Sequence, residues 1–278
     1  MKTRRRALGQ HFLRDPRILD RIARTIDPGR SDFVIEIGPG KGALTRPLAA
    51  LAGKIAAVEK DRILAEKLAS DKPANVEVIE GDALEISFED LISRNAAAGE
   101  TEAKLIGNLP YAISGPFLAR VWEKRRLFPR AAFLIQREVA ERIAAGPGSK
   151  EYAPLSIMLQ IHFEVKILFR VSRGSFLPPP RVDSAMVSLV RRPEPLLAIG
   201  DGQGFRRFLA GAFAQRRKTL LNNLAALGYP AERGSLLLES LGLAKTVRPE
   251  QVDIPAWGAL HAAIERKPGH DPAGPFRL

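Results

Sequence analysis

The sequence predicts an α/β fold: a mostly parallel seven-stranded sheet covered by helices, followed by a small all-helical domain. Three observations lead there. Short apolar runs of strand length alternate with amphipathic helical patterns as far as about residue 145, the pattern of parallel strands joined by crossover helices. A glycine-rich turn separates the first of these strands from its helix, where backbone must come close to another group. From Phe205 onward only the helical period persists.

Taken in order, residues 17–26 place Ile18, Leu19, Ile22, Ala23 and Ile26 on one helical face. Residues 33–37 form a buried strand, closed by Gly38-Pro39-Gly40-Lys41-Gly42 and a helix to about Leu51. Residues 54–58 are a strand ending in Glu59, 62–69 a helix, and 76–79 a strand running into Gly81-Asp82. Residues 104–107 run into Asn108-Leu109-Pro110-Tyr111, 131–135 are the fifth strand, and 137–145 a helix. The rhythm changes after Gly146-Pro147-Gly148. Residues 162–171 and 185–190 read as two further strands, separated by Phe176-Leu177-Pro178-Pro179-Pro180. Pro193, Pro195, Gly200, Gly202 and Gly204 make a linker, which sets domains at 1–195 and 196–278. Helices are expected over 205–214, 216–227, 231–241 and 255–265, then a frayed Pro/Gly-rich tail.

Composition narrows the chemistry. The 278 residues include 43 Lys and Arg against 31 Asp and Glu, a net charge of +12 that favours a polyanionic partner. With no cysteine, disulfides, thiolate zinc sites, iron–sulfur clusters and a thiol nucleophile are excluded. The four histidines are scattered, so no metal site is expected. No uncharged apolar run approaches the about 20 residues of a membrane span. The basic opening lacks the apolar stretch of a signal peptide, so a cytoplasmic protein with no membrane partner is expected.

Three motifs carry chemistry. The turn at Gly38 and Gly40 lets a nucleotide approach the backbone, and Glu59, 19 residues past Gly40, ends the next strand where a carboxylate can accept from both ribose hydroxyls. Either feature alone is also an ordinary tight turn or strand end. The third glycine comes one residue early for the dinucleotide fingerprint, and Pro39 sits inside the turn. With Asp82 placed to bond an adenine amino group, the pattern fits S-adenosylmethionine better than NAD. Asn108-Leu109-Pro110-Tyr111 then offers a side-chain amide oxygen and a backbone carbonyl as two acceptors, a proline that stiffens the turn, and a ring for a base to stack on. An exocyclic adenine amine is a poor nucleophile because its lone pair is delocalised into the ring. Two acceptors on its hydrogens favour pyramidal nitrogen and free that pair for attack on a sulfonium methyl. Phe176, held before three prolines, either stacks on a base or packs under its loop; both readings stand on the sequence alone.

Together these motifs resemble the rRNA adenine N6,N6-dimethyltransferase family over nearly the whole chain. The resemblance runs through residues 8–13 (Leu-Gly-Gln-His-Phe-Leu), 36–40 (Glu-Ile-Gly-Pro-Gly), Glu59, Gly81-Asp82, 108–111, 176–184 and 213–220. It implies a class I Rossmann-like methyltransferase using S-adenosyl-L-methionine, whose bacterial housekeeping members dimethylate two adjacent adenines in the 3′-terminal hairpin of small-subunit rRNA. It further implies cofactor contacts from His11, Leu13, Gly38, Gly40, Glu59, Asp82 and Asn108. Asn108 and the Leu109 carbonyl, on the turn stiffened by Pro110, would hold the target amine, with Tyr111 and Phe176 sandwiching the flipped adenine. Position 11 is commonly Asn in this motif and is His here; a side-chain contact would change with it, a backbone contact would not. Small residues at Ala112 and Gly115 are expected to leave room for the first methyl group.

Basic residues cluster. Residues 1–30 hold nine Lys and Arg against three Asp, 120–142 seven against three acids, and 205–224 only Arg206, Arg207, Arg216, Arg217 and Lys218. Such one-sign patches suit RNA phosphates, which give affinity and register rather than sequence readout. The expected partner is the small ribosomal subunit and its rRNA, bound by a monomer. The alternatives are the large-subunit rRNA methyltransferases of the antibiotic-resistance branch, a non-catalytic assembly factor, an adenine-N6 DNA methyltransferase and, weakest, an NAD oxidoreductase. The intact motifs, the residue 9–13 opening and the 213–220 segment favour the housekeeping branch.

Overall fold

In the computed structural model the described residues are 11–96 and 102–265, and they fall into two compact units. The first comprises the chain through Glu141 together with Phe163–Arg192; the second comprises Arg142–His162 and the chain from Pro193. The sequence drew a single boundary at 195. The chain instead leaves the first unit after Glu141 and returns at Phe163, because its last two sheet strands lie C-terminal to that excursion.

The first unit is built on seven strands: β2 (Phe33–Ile37), β3 (Lys54–Glu59), β4 (Val76–Glu80), β5 (Lys104–Asn108), β6 (Arg130–Gln136), β7 (Phe163–Val171) and β9 (Ser184–Arg191). Their order is β4-β3-β2-β5-β6-β9-β7, parallel from β4 to β6 and antiparallel for β9 and β7. Every residue of β2 is buried, as expected of a strand covered on both faces. Strand β2 has β3 on one side and β5 on the other, so the strand order reverses there, and the crevice beyond the carboxyl ends of β2 and β5 is where such sheets bind ligands.

The flanking helices start where the sequence supplies caps. In α1 (Pro16–Ala23) the Asp15 side chain accepts from the Arg17 and Ile18 N–H groups and proline opens the first turn. In α3 (Arg62–Ala69) Asp61 does the same for Ile63 and Leu64. Between them α2 (Thr45–Ala49) is shorter than expected, because Gly40 and Gly42 hold positive φ and keep the preceding residues in turns. Two helices with no individual forecast, α4 (Phe88–Asn95) and α5 (Ser114–Glu123), supply Phe88 and Phe117 to an edge-to-face aromatic cluster with Phe128 and Phe133. Two-residue strands β1 (Phe12–Leu13) and β8 (Phe176–Leu177) pair antiparallel, Phe12 with Leu177 and Leu13 with Phe176.

A helix, α6 (Arg137–Ala144), follows directly on β6. The second unit is helical: α7 (Pro154–His162), α8 (Gly202–Ala212), α9 (Leu220–Ala226), α10 (Ala231–Ser240) and α11 (Ile254–Glu265). His162, expected in a strand, closes α7. Phe205, Phe208, Phe213 and Trp257 pack together in it, with His261 against Phe205 and Phe208. Among the described residues no helix is long and apolar enough to cross a membrane.

Candidate methyl-transfer site

A cavity of about 340 Å³ opens at the strand-order reversal, within the roughly 300–1,000 Å³ typical of small-molecule sites. Its wall includes His11, Leu13, Gly38, Gly40, Glu59, Asn108, Leu109, Pro110, Tyr111 and Phe176. Ten of the residues singled out from sequence therefore share one wall, although they span 166 positions of chain from His11 to Phe176. Asp82, Ala112 and Gly115 are not among its lining residues.

The glycine turn takes its shape from backbone demands. Gly38 and Gly40 have φ of 68° and 58°, a region that side chains disfavour, and a Cβ at Gly40 would sit 3.0 Å from the Phe12 ring. Glu59 fastens this turn. One carboxylate oxygen accepts the Gly40 N–H at 2.9 Å and the other the Asp61 N–H at 2.9 Å. Only 5% exposed, the carboxyl is pushed up by burial, partly offset by those N–H groups. Each oxygen keeps a second lone pair for a ligand hydroxyl.

Glu36, to which the sequence reading gave no role, also lines the cavity. It is 1% exposed and its Oε2 has no hydrogen-bond partner. Burial pushes its carboxyl up to about 8, with the Glu59 charge adding to the rise. Thr45 offsets part of this, although its hydroxyl makes no hydrogen bond of full geometry. A carboxylate inside the apolar run Phe33-Val34-Ile35-Glu36-Ile37 was the available signal.

Asn108 ends β5, and its Nδ2 donates to the His11 carbonyl at 3.2 Å. A carbonyl only accepts, so this bond fixes which pole of the amide is which and leaves Oδ1 as the free acceptor. The Leu109 N–H continues the sheet ladder to the Leu134 carbonyl at 3.1 Å. Tyr111 is half-buried, its hydroxyl 3.0 Å from Ser184 Oγ; burial pushes its phenol up. Phe176 is 4% exposed, packed in the core as the second sequence reading expects, and it also lines the cavity.

Asp82 follows β4 with its carboxylate already engaged. Oδ2 meets Lys60 Nζ at 2.5 Å and Oδ1 accepts the Leu84 N–H, and the Lys60 ammonium holds the carboxyl below the usual range.

In the second unit the basic cluster divides. Arg216 donates to the Lys150 and Tyr152 carbonyls, and Arg207 lies 3.7 Å from Asp201. Arg206, on α8, is exposed. Arg217 and Lys218 are exposed in a turn, not on the helix expected from 216, because Thr219 caps α9 by accepting the Asn222 N–H. Buried Asn223 ties that turn down, accepting from the Gln215 N–H and donating to the Gln215 and Thr219 carbonyls.

The family model for Ribosomal RNA adenine dimethylase matches residues 1–254. A Ribosomal RNA small subunit methyltransferase A from Geobacter metallireducens is 43% identical over 265 residues, 94% of this chain and 95% of the relative. One from Xylella fastidiosa is 40% identical over 92% of this chain and 94% of its own. Among solved structures, a dimethyladenosine transferase from Plasmodium falciparum superposes with a TM-score of 0.73 at 29% identity, covering 92% of this chain and 97% of that one. The 23S rRNA methyltransferase ErmE superposes at 0.68 and 28% identity, covering 92% and 100%. A motif set, a cavity and a match over most of the chain thus coincide: the chain belongs to the ribosomal RNA adenine dimethylase family.

Proposed function

We propose that this enzyme transfers methyl groups from S-adenosylmethionine to N6 of two adjacent adenines in the 3′-terminal hairpin of small-subunit rRNA, two per base. It acts as a cytoplasmic monomer during small-subunit assembly. The observation that carries this is the fixed amide of Asn108, whose NH₂ is committed to the His11 carbonyl.

The wall of the cavity suits such a cofactor. The Gly38–Gly40 turn admits a close-lying ligand, Glu59 keeps acceptor capacity for ribose hydroxyls, and the orphaned Oε2 of Glu36 suits a ligand N–H or ammonium donor. S-adenosylmethionine, when bound, supplies an activated methyl on a sulfonium. The chain's own contribution is on the adenine side. Asn108 Oδ1 and the Leu109 carbonyl accept from the two N6 hydrogens and draw the nitrogen out of conjugation with the ring. They are set before the reaction, so little reorganisation accompanies attack. N6 gains the methyl and gives up one proton to solvent. In the second round one N6 hydrogen remains and one acceptor is idle. Tyr111, steadied by Ser184, and Phe176 offer ring faces that offset the unstacking of the flipped base.

Calorimetric titration tests the cofactor: S-adenosylmethionine and its demethylated product bind, and NAD does not. Binding of NAD alone would replace this reading with a redox one. Competition between small-subunit rRNA and duplex DNA tests the acceptor, with rRNA expected to win.

A further inference from the structure

We propose that the His11 side chain is a positioning residue, its ring N–H clamping the N-terminal strand to the Phe176 loop so that Phe176 and the Asn108 amide hold station around the cavity. This rests on the methyl-transfer reading above.

His11 Nδ1 lies 2.8 Å from the Pro178 carbonyl. Since a carbonyl oxygen only accepts, Nδ1 carries the proton in this contact. The same residue's backbone carbonyl receives the Asn108 amide at 3.2 Å. One residue thus joins the loop carrying the stacking ring to the group that holds the amine. The register between them is short: Phe12 pairs with Leu177, Leu13 with Phe176, and the Arg14 N–H donates to the Ser175 carbonyl at 3.1 Å. A two-residue ladder has little stability of its own, so an added bond at its open end carries weight. The imidazole also lies against Tyr111, ring centroids 5.7 Å apart at 34°. The side chain therefore acts through the two rings and the amide, and it is the backbone of residue 11 that reaches Asn108.

The stereochemistry makes the idea testable. Histidine Nδ1 and asparagine Nδ2 are both bonded to Cγ, so asparagine at position 11 presents an N–H from the same place. Aspartate has the same outline but offers the Pro178 carbonyl only acceptors, and leucine offers it nothing. Wild type, His11→Asn, His11→Asp and His11→Leu are compared by methyl transfer to unmethylated small subunits, by calorimetry with S-adenosylmethionine, and by amide hydrogen exchange. His11→Asn keeps kcat within twofold of wild type. The Asp and Leu variants lose about fivefold to tenfold in kcat, the effect of one neutral hydrogen bond, while cofactor affinity moves less than twofold. In those two variants alone, amides of residues 12–14 and 176–177 exchange faster and the rest of the chain is unchanged. Equal impairment of the Asn and Leu variants, a loss confined to cofactor affinity, or exchange that rises uniformly or nowhere would overturn the clamp. An inactive wild type would instead defeat the methyl-transfer reading, with the exchange data still judging the clamp.

Discussion

In the proposed mechanism Asn108 concentrates the chemistry in one amide. On that proposal, replacing it with alanine removes an acceptor for the amine while leaving β5 in its ladder, so kcat should fall at least about a hundredfold. The melting temperature should stay near wild type. Retention of full transfer would remove the role assigned to it. Glu36 gives a second test, on stability. Its carboxyl is neutral in the fold up to about pH 8 but ionises near 4.5 when unfolded. The native state therefore binds the extra proton between those values, and its stability falls as pH rises through that window. Glu36→Gln, neutral at every pH, should gain on wild type progressively from pH 4.5 to 8, by on the order of a few kcal/mol at the upper end. Chemical denaturation across pH measures it, and a pH-independent difference would contradict the buried, protonated acid. The sequence made Gly38, Gly40, Glu59 and Asn108 legible because each sits at a strand end with local chemistry. The partners were not legible: His11 reaches Asn108 across 97 positions, and Lys60 takes the carboxylate of Asp82. Those pairings depend on how side chains pack in three dimensions, which periodicity does not encode.

Among the elements, β2 and β5 carry the two halves of the site and their spacing is set by Gly107. A Cβ there would lie 2.5 Å from the Ile37 carbonyl oxygen, backbone against backbone, so the strands must part to admit it. Gly107→Ala should cost about 1–3 kcal/mol, as overpacking does, and lower cofactor affinity with it, since both the glycine turn and Asn108 hang from these strands. Thermal melts and calorimetry would show the two losses together; an unchanged protein would mean the sheet yields there. In the second unit, Asn223→Leu leaves the Gln215 N–H and two carbonyls without their partner. The basic turn should loosen, weakening binding to small subunits while leaving cofactor affinity unchanged; stronger or equal subunit binding would contradict its role. Strands of five residues and more were readable from their apolar runs. Pairing of β1 with β8 was not, because two residues hold no period. The start of α9 was missed because Arg216, Arg217 and Lys218 are good helix formers directly before the apolar positions Leu220, Leu221 and Leu224, whereas Thr219 and Asn223 impose a turn first.

Across the whole molecule, a net charge of +12 favours a polyanion such as RNA. Each phosphate neutralised lowers the slope of log affinity against log salt by slightly less than one. Removing Arg217 and Lys218, exposed at the basic turn, should reduce the magnitude of that slope by about two and weaken subunit binding without changing the cofactor constant. No change in slope would take those residues out of the RNA contact. The domain boundary shows the limit of reading along the chain: a linker composition marks one exit from the α/β unit, whereas the excursion of residues 142–162 follows from antiparallel pairing of β9 with β6 and β7. The most direct test of the account supplies the enzyme with labelled S-adenosylmethionine and unmethylated small subunits, then maps the labelled nucleotides and the methyls on each. Two neighbouring adenines in the 3′-terminal hairpin, each carrying two methyl groups on N6, is the outcome expected. Label confined to large-subunit rRNA, or carried by any atom other than adenine N6, would contradict it.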